Sequence, residues 1–154
     1  MKGPVADSLS DKELERRLPV WCALAELFLD TELQSADFTR IAIVISNAGL
    51  SAGEAKKILE DEVAPVFMPN MLGAAGEWAG WSEDFVRERI MAHLNAGAVQ
   101  RGVAKFRARQ HRTLYISAWK DVARHLTQGT LPCDPNGEQT GPKSAISPCS
   151  GGEH

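Results

Sequence analysis

Apolar residues recur at helical spacing along much of the chain, and this period constrains the fold more than any other feature of the sequence. The clearest run has spacings of three, one, three and three positions and comprises Phe38, Ile41, Ala42, Ile45 and Ala48. Such a period is typical of an amphipathic helix, although the β-branched run Ile41–Ile45 leaves a buried strand as an alternative. Gly49 follows where a left-handed helix C-cap is expected.

Serine residues predict where helices begin. Ser10 and Ser51 are each followed three positions later by a glutamate, an arrangement in which both side chains can satisfy free amides of the first turn. Ser82 precedes two acidic residues, which favour the positive end of the helix dipole. The helix that begins there is predicted to stop at Gly97.

Two prolines predict interruptions. Pro19 and Pro65 lack the amide hydrogen that a helix interior requires. A kink or a new helix start is therefore expected at Pro19, and a kink or a helix end at Pro65. The segment from Pro65 to Asn70 is then expected to hold little more than one turn of helix.

Length and composition favour one helical domain. A chain of 154 residues fits a typical domain of about 100–200 residues, and its 44% hydrophobic content is close to the globular average. The predicted fold is an all-α compact bundle of about five or six short helices with a disordered C-terminal tail. The predicted boundaries are a flexible N-terminus at 1–9, a helical domain at 10–126 and the tail at 127–154.

Charge divides the helical domain into two parts. The formal net charge of the chain is −3, yet residues 101–126 hold seven basic residues and one acidic residue. We therefore distinguish an acidic body at 10–97 from a basic helical segment at 98–126. A basic segment on an acidic chain has to be explained either by contacts within the molecule or by a partner.

The basic segment contains a change of helical phase. Val99, Val103 and Phe106 share one apolar face. A second apolar face lies about 180° from the first on a straight helix, and it comprises Tyr115, Ala118, Trp119, Val122 and Leu126. Two helices with a break near Gln110–Thr113, or one helix between two partners, would allow both faces to be buried.

Residue types that usually carry chemistry form no recognisable constellation. The four histidines match neither a His-Glu-x-x-His motif nor a zinc-binding spacing, and no phosphate-binding glycine motif is found. We therefore expect no catalytic residue, no cofactor, no metal and no enzyme activity. Three cysteines without a Cys-x-x-Cys pair, and no secretory signal, predict a cytoplasmic protein. The longest uncharged stretches are shorter than the ~20 apolar residues of a membrane span.

Three surfaces are candidates for binding a partner. One is an acidic corner at Asp30 and Glu32. Another is the stretch that contains Glu77, Trp78 and Trp81, where a carboxylate in apolar surroundings is costly unless it is paired. The third is the basic segment, whose candidate residues are Arg101, Lys105, Arg107, Arg109 and Arg112. These charges would meet the acidic body of the same chain, an acidic protein surface or a nucleic acid.

Several motifs resemble a small bacterial all-helical family of unknown function. They are Leu-Pro-Val-Trp-x-Ala-Leu-x-x-Leu-Phe-Leu-Asp at 18–30, Glu-Val-Ala-Pro-Val at 62–66 and Ala-Gly-Glu-Trp-Ala-Gly at 75–80. The resemblance covers about residues 14–94 and implies a helical fold, but it implies no activity. Beyond Gly97 the chain departs from that pattern, so the basic segment inherits no role.

The sequence therefore predicts a non-enzymatic protein that acts by binding another protein. Its small size, acidity and helical fold give a more specific hypothesis, an immunity-type protein that neutralises a toxin. The alternative is a nucleic-acid-associated regulator that uses residues 101–126, with binding that depends steeply on salt.

Overall fold

The computed structural model describes residues 9–29, 31–73 and 80–129. Within these ranges all regular structure is helical, which confirms the predicted all-α class. The helices are α1 (Asp11–Ala25), α2 (Ser35–Asn47), α3 (Ala52–Ile58), α4 (Ala64–Leu72), α5 (Glu83–Leu94), α6 (Ala98–Gln110) and α7 (Thr113–Gly129). A 3₁₀ turn follows α1 at Glu26–Phe28, and a π-helical turn at Leu59–Val63 joins α3 to α4.

All three predicted serine N-caps are confirmed, but the reciprocal capping bond forms at Ser51 and not at Ser10, where the Glu13 carboxylate pairs with Arg16 and Arg17 instead. The Ser51 hydroxyl accepts a hydrogen bond from the Glu54 amide at 3.2 Å, and the Glu54 carboxylate accepts one from the Ser51 amide at 2.8 Å. Ser10 and Ser82 each accept from the amide three residues later, at 3.3 and 3.2 Å. The predicted helix at 37–48 is observed as α2, which ends at Asn47 with Ala48 as its C-cap, and Gly49 follows with a φ of 70°, as its predicted left-handed cap requires.

The prolines do not divide the chain where the sequence predicted. Helix α1 continues through Pro19 to Ala25, so the new helix start expected there is wrong. Pro65 does not end a helix either. It lies in the first turn of α4, where a missing amide hydrogen is tolerated.

A backbone carbonyl in the π-helical turn before Pro65 is contacted by a side chain of another helix. Pro65 has no hydrogen to donate to the Asp61 carbonyl, four residues earlier. The His93 Nε2 atom of α5 lies 3.2 Å from that oxygen. A side chain of α5 thus occupies the position of the missing helical hydrogen bond.

The core joins α7 to the acidic body. Helix α2 packs along α7, and α2 contributes the fully buried Ile41 and Ile45. Next to them the rings of Phe28 and Tyr115 have centroids 5.4 Å apart. Trp21 of α1 belongs to the same cluster. Because burying each large apolar side chain contributes about 1.5–3 kcal/mol, this shared core holds α7 in place.

The basic segment is two helices, as the change of phase predicted. Helix α6 ends at Gln110 and α7 begins at Thr113, so the break falls within the predicted interval. On α7 the predicted apolar face is buried, with Tyr115, Trp119, Val122 and Leu126 in the core. The tail was predicted to begin at residue 127, which is wrong, because helix α7 continues to Gly129. The rest of that prediction, at 130–154, lies outside the described residues.

The connection between α5 and α6 begins earlier than predicted. Helix α5 ends at Leu94, and Asn95 is its C-cap. Gly97 is instead the N-cap of α6. This short link places the start of α6 beside the end of α5. The predicted flexible N-terminus falls outside the described residues except for Leu9.

Candidate protein-binding groove

A surface groove of about 540 Å³ lies between α4 and α6. Its α4 side carries no charged side chain, because the whole helix Ala64–Leu72 is uncharged. Among the described lining residues, only Gln100 and Arg107 have polar side chains. These described residues are Pro65, Met68, Pro69, Leu72, Gly73, Val99, Gln100, Val103, Ala104, Arg107 and Ala108.

The groove exists because α6 packs through a small residue. Of the side chains of α6, only Ala108 is buried. Val99 lies about 180° from Ala108 around the helix axis, at 100° per residue, and therefore faces away from the core. A helix that packs through alanine contributes little apolar area to the core.

The apolar face of α6 consequently faces outward, which corrects the expectation that both faces of the basic segment are buried. Val99 is 80% exposed, Phe106 62% and Val103 49%. Leu72, at the end of α4, is 52% exposed beside them. Isolated exposed apolar residues are ordinary on protein surfaces, whereas a contiguous stripe beside a groove is typical of an interaction site.

Three cations of the basic segment bind the body of the same chain. Lys105 Nζ lies 3.2 Å from Asp61 Oδ1. Arg112 Nη2 lies 3.0 Å from Glu60 Oε1, although the pair is not aligned as a hydrogen bond. These acids lie in the π-helical turn. Arg101 donates to the Leu94 carbonyl at 3.5 Å, at the end of α5.

Arg107 and Arg109 differ from these three residues. Both are exposed, and neither has an ion pair or hydrogen bond to any other residue in the described ranges. Arg107 lines the groove. The predicted basic surface is therefore reduced to two outward-facing arginines beside the apolar stripe.

The other predicted site residues lie apart from the groove or outside the described ranges. Trp81 is half-buried, donates to the Ala25 carbonyl at 3.2 Å and stacks on Phe85 with ring centroids 5.4 Å apart. Its indole therefore anchors α5 against α1. Glu32 is exposed. Asp30, Glu77 and Trp78 lie outside the described residues.

Sequence reasoning missed an enclosed carboxylate, Glu62. The Glu62 side chain is only 12% exposed. One of its oxygens accepts from Trp21 Nε1 at 2.6 Å, and the other pairs with Arg17. Both partners lie on α1, more than 40 positions away in the sequence. No local sequence pattern links α1 to the Glu-Val-Ala-Pro-Val motif, so this contact could not be predicted. The contact of Glu62 with Arg17 and Trp21 holds α1 against the π-helical turn.

His93 has a structural role where α5 meets the π-helical turn. Burial lowers its pKa, and the nearby charges of Lys105 and Arg101 lower the pKa further, against the opposing effect of the hydrogen bond to the Asp61 carbonyl. A carbonyl oxygen can only accept, so Nε2 carries the proton in this contact. The neutral imidazole thus links α5 to the turn on which Lys105 of α6 also rests.

The fold and the groove define a class of protein, a helical domain with a largely apolar surface groove, whose described lining includes one basic residue, Arg107. The chain belongs to the family described as a domain of unknown function, DUF7079, whose model matches residues 15–125. This confirms the resemblance to an uncharacterised helical family. It also corrects the departure expected beyond Gly97, since the match includes α6 and most of α7.

Comparison with curated proteins and with solved structures gives no match. In the described part of the chain, no helix combines the length and the apolar character needed to cross a lipid bilayer. The same residues contain no group of three or more histidine, cysteine or acidic side chains placed to bind a metal ion.

Proposed function

We propose that this protein is non-enzymatic and acts by binding another protein through the groove between α4 and α6. The observation that carries the proposal is the exposed apolar stripe of Val99, Val103 and Phe106. Covering an apolar side chain of this size contributes about 1.5–3 kcal/mol. A partner that covers all three side chains gains enough to offset much of the entropy lost on association.

The position of the groove supports this function. Its walls are helices α4 and α6, and interfaces commonly combine an apolar centre with a polar rim. Here the described lining is apolar except for Gln100 and Arg107. The ion pair between Lys105 and Asp61 holds α6 against the π-helical turn. The surface is thus held in place before any partner binds.

Co-purification from the native host tests the proposal, with Val103→Asp as the disruptive variant. Ile43 on α2 is 53% exposed, so Ile43→Asp is a matched control that places the same charge at a comparably exposed position. We expect wild type and Ile43→Asp to retain a stoichiometric protein partner and Val103→Asp to lose it. Circular dichroism checks that both variants fold.

Recovery of no stoichiometric partner, or equal recovery with Val103→Asp, would overturn the proposal. The first result contradicts protein binding, and the second contradicts the groove as its site. Equal loss in both variants would also contradict it, because the effect would then not depend on the groove.

Within this function we propose an immunity-type role, the neutralisation of a toxin. Small size, net negative charge and a helical fold motivate it. The recovered partner, expressed alone, is then expected to arrest cell growth, and co-expression of wild type but not Val103→Asp is expected to restore growth. A harmless partner would contradict this role and leave protein binding intact.

A nucleic acid is the second candidate partner. The observation in its favour is that Arg107 and Arg109 are exposed and neither pairs with a carboxylate in the described ranges. Against it, Lys105 and Arg112 are already paired with the acidic turn. Binding to phosphates would weaken steeply with salt because bound counterions are released. Retardation of DNA or RNA at low salt that is lost in an Arg107→Ala, Arg109→Ala double variant would favour this candidate over the first.

A further inference from the structure

We infer that an amphipathic helix of the partner protein lies along the exposed apolar stripe of α6 at the edge of the groove, with an apolar stripe of its own flanked by acidic residues. This inference rests on the proposed function and specifies the chemistry of the partner. The exposed residues Val99, Val103 and Phe106 are spaced by four and three positions, the spacing at which one helix contacts another.

The exposed side of α6 has room for a helix beside the apolar stripe. Gly102 lies next to Val103 on the exposed side of α6, and a Cβ atom placed there would meet no other atom within 4 Å. Small residues at a contact allow two helices to approach closely. Helix α6 is 13 residues long, which corresponds to about 20 Å, so a partner segment of about four turns would cover it.

The charges of the surface select an acidic partner. Helix α6 carries four basic residues and no acidic residue, and α4 carries no charge. At 100° per residue, Arg107 and Arg109 project to opposite sides of the apolar stripe. Carboxylates on both flanks of an incoming helix would therefore meet a guanidinium on each side, and neither wall of the groove supplies such a carboxylate.

The same charges disfavour a second copy of this chain. A symmetric pairing of two α6 helices would bring four outward arginines together, and neither α4 nor α6 has a carboxylate to compensate them. Like charges that face each other at an interface cost binding energy. A nucleic acid is disfavoured because the centre of the surface is apolar and only its flanks are charged.

Selection from a displayed library of helical peptides about 16 residues long, with randomised exposed positions, tests the inference on the full chain. We expect the enriched peptides to have apolar residues at helical spacing with Asp or Glu on both flanks. Their binding is expected to be unchanged in Ile43→Asp, lost in Val103→Asp and weakened at least about tenfold in an Arg107→Glu, Arg109→Glu double variant. Peptides with the acids replaced by Lys are expected to recover binding to that double variant.

Several results would overturn the inference. They are enrichment of basic or non-helical peptides, binding that does not depend on Val103, and failure of the charge-swapped peptides to bind the double variant. Sedimentation that shows a dimer lost in Val103→Asp would instead identify a second copy as the occupant. If Val103→Asp abolishes co-purification while the selection fails, the chemistry inferred for the partner is wrong and the proposed function stands.

Discussion

Helices α6 and α7 are adjacent, basic and amphipathic, yet they use their apolar faces in opposite ways. On α7 the face that contains Tyr115 and Trp119 is buried, with Trp119 only 4% exposed. On α6 the face that contains Phe106 is turned outward, and Phe106 is 62% exposed. Two helices of similar pattern thus serve the core and the surface respectively.

The cause of the difference is what each helix meets. Helix α7 packs along α2, whose apolar face complements its own. Helix α6 meets α4 and the π-helical turn, and it does so through Ala108 and ion pairs rather than through large apolar residues. The comparison teaches that amphipathicity identifies an apolar face without identifying what covers it.

The largest expected effect comes from truncating one aromatic residue on each helix. Trp119→Ala should lower the free energy of unfolding by about 3–5 kcal/mol, because it leaves a cavity in the core. Phe106→Ala, the matched change on α6, should alter it by no more than about 0.5 kcal/mol. Urea denaturation measures both values. A similar loss in the two variants would contradict the outward orientation of α6.

A smaller effect is expected where α6 meets the body. Ala108→Leu inserts volume at the one buried position of α6 and should cost about 1–3 kcal/mol. Gly102→Ala, on the exposed side, should instead stabilise the helix by roughly 0.5–1 kcal/mol, since there is space for the added methyl group. Denaturation curves of the two variants should shift in opposite directions, and a loss of stability in Gly102→Ala would be evidence that α6 is covered.

A smaller difference in the free energy of unfolding is expected between variants of two α6 cations, Lys105 and Arg109. Lys105→Ala removes the ion pair with Asp61, which is partly exposed and should contribute only about 0.2–1 kcal/mol. Arg109→Ala should leave stability unchanged in the isolated protein, because Arg109 has no such pair in the described ranges. High salt should remove the difference between the two variants. Equal losses at low salt would show that Arg109 also binds the body.

The smallest change is expected in the titration of His93, which senses the charges of α6. Burial lowers the pKa of His93, so the folded protein binds fewer protons at this residue than the unfolded chain between the lowered folded pKa and about pH 6.5. The stability that the neutral imidazole contributes is complete above that pH and is lost as the pH falls through the lower folded pKa. Lys105→Ala should raise the pKa of His93 measured by NMR, whereas Arg109→Ala should leave it unchanged. A His93 pKa that is unchanged in Lys105→Ala would contradict the position of Lys105 beside His93 at the π-helical turn.

Local patterns in the sequence predicted much of the fold. The Ser51 capping box and the Gly49 cap depend on residues within one turn of each other, and the break before Thr113 depends on a change of helical phase along the chain, so all three could be read from the sequence. The contact between Glu62 and Trp21 could not, because its partners are far apart in the chain. Pro65 was misread for a related reason, since it lies in the first turn of α4, and His93 of α5, distant in the sequence, contacts the Asp61 carbonyl to which Pro65 cannot donate.

The candidate site likewise divides into features set by local sequence pattern and features set by long-range packing. The sequence by itself determined that Val99, Val103 and Phe106 lie on one face of a basic helix, because helical period fixes which side chains are neighbours. Only the tertiary structure decided that this face is open, that Lys105 and Arg112 are used within the chain, and that Arg107 and Arg109 are not. Exposure and charge pairing depend on which other helix lies opposite, and that is set by the packing of the whole core.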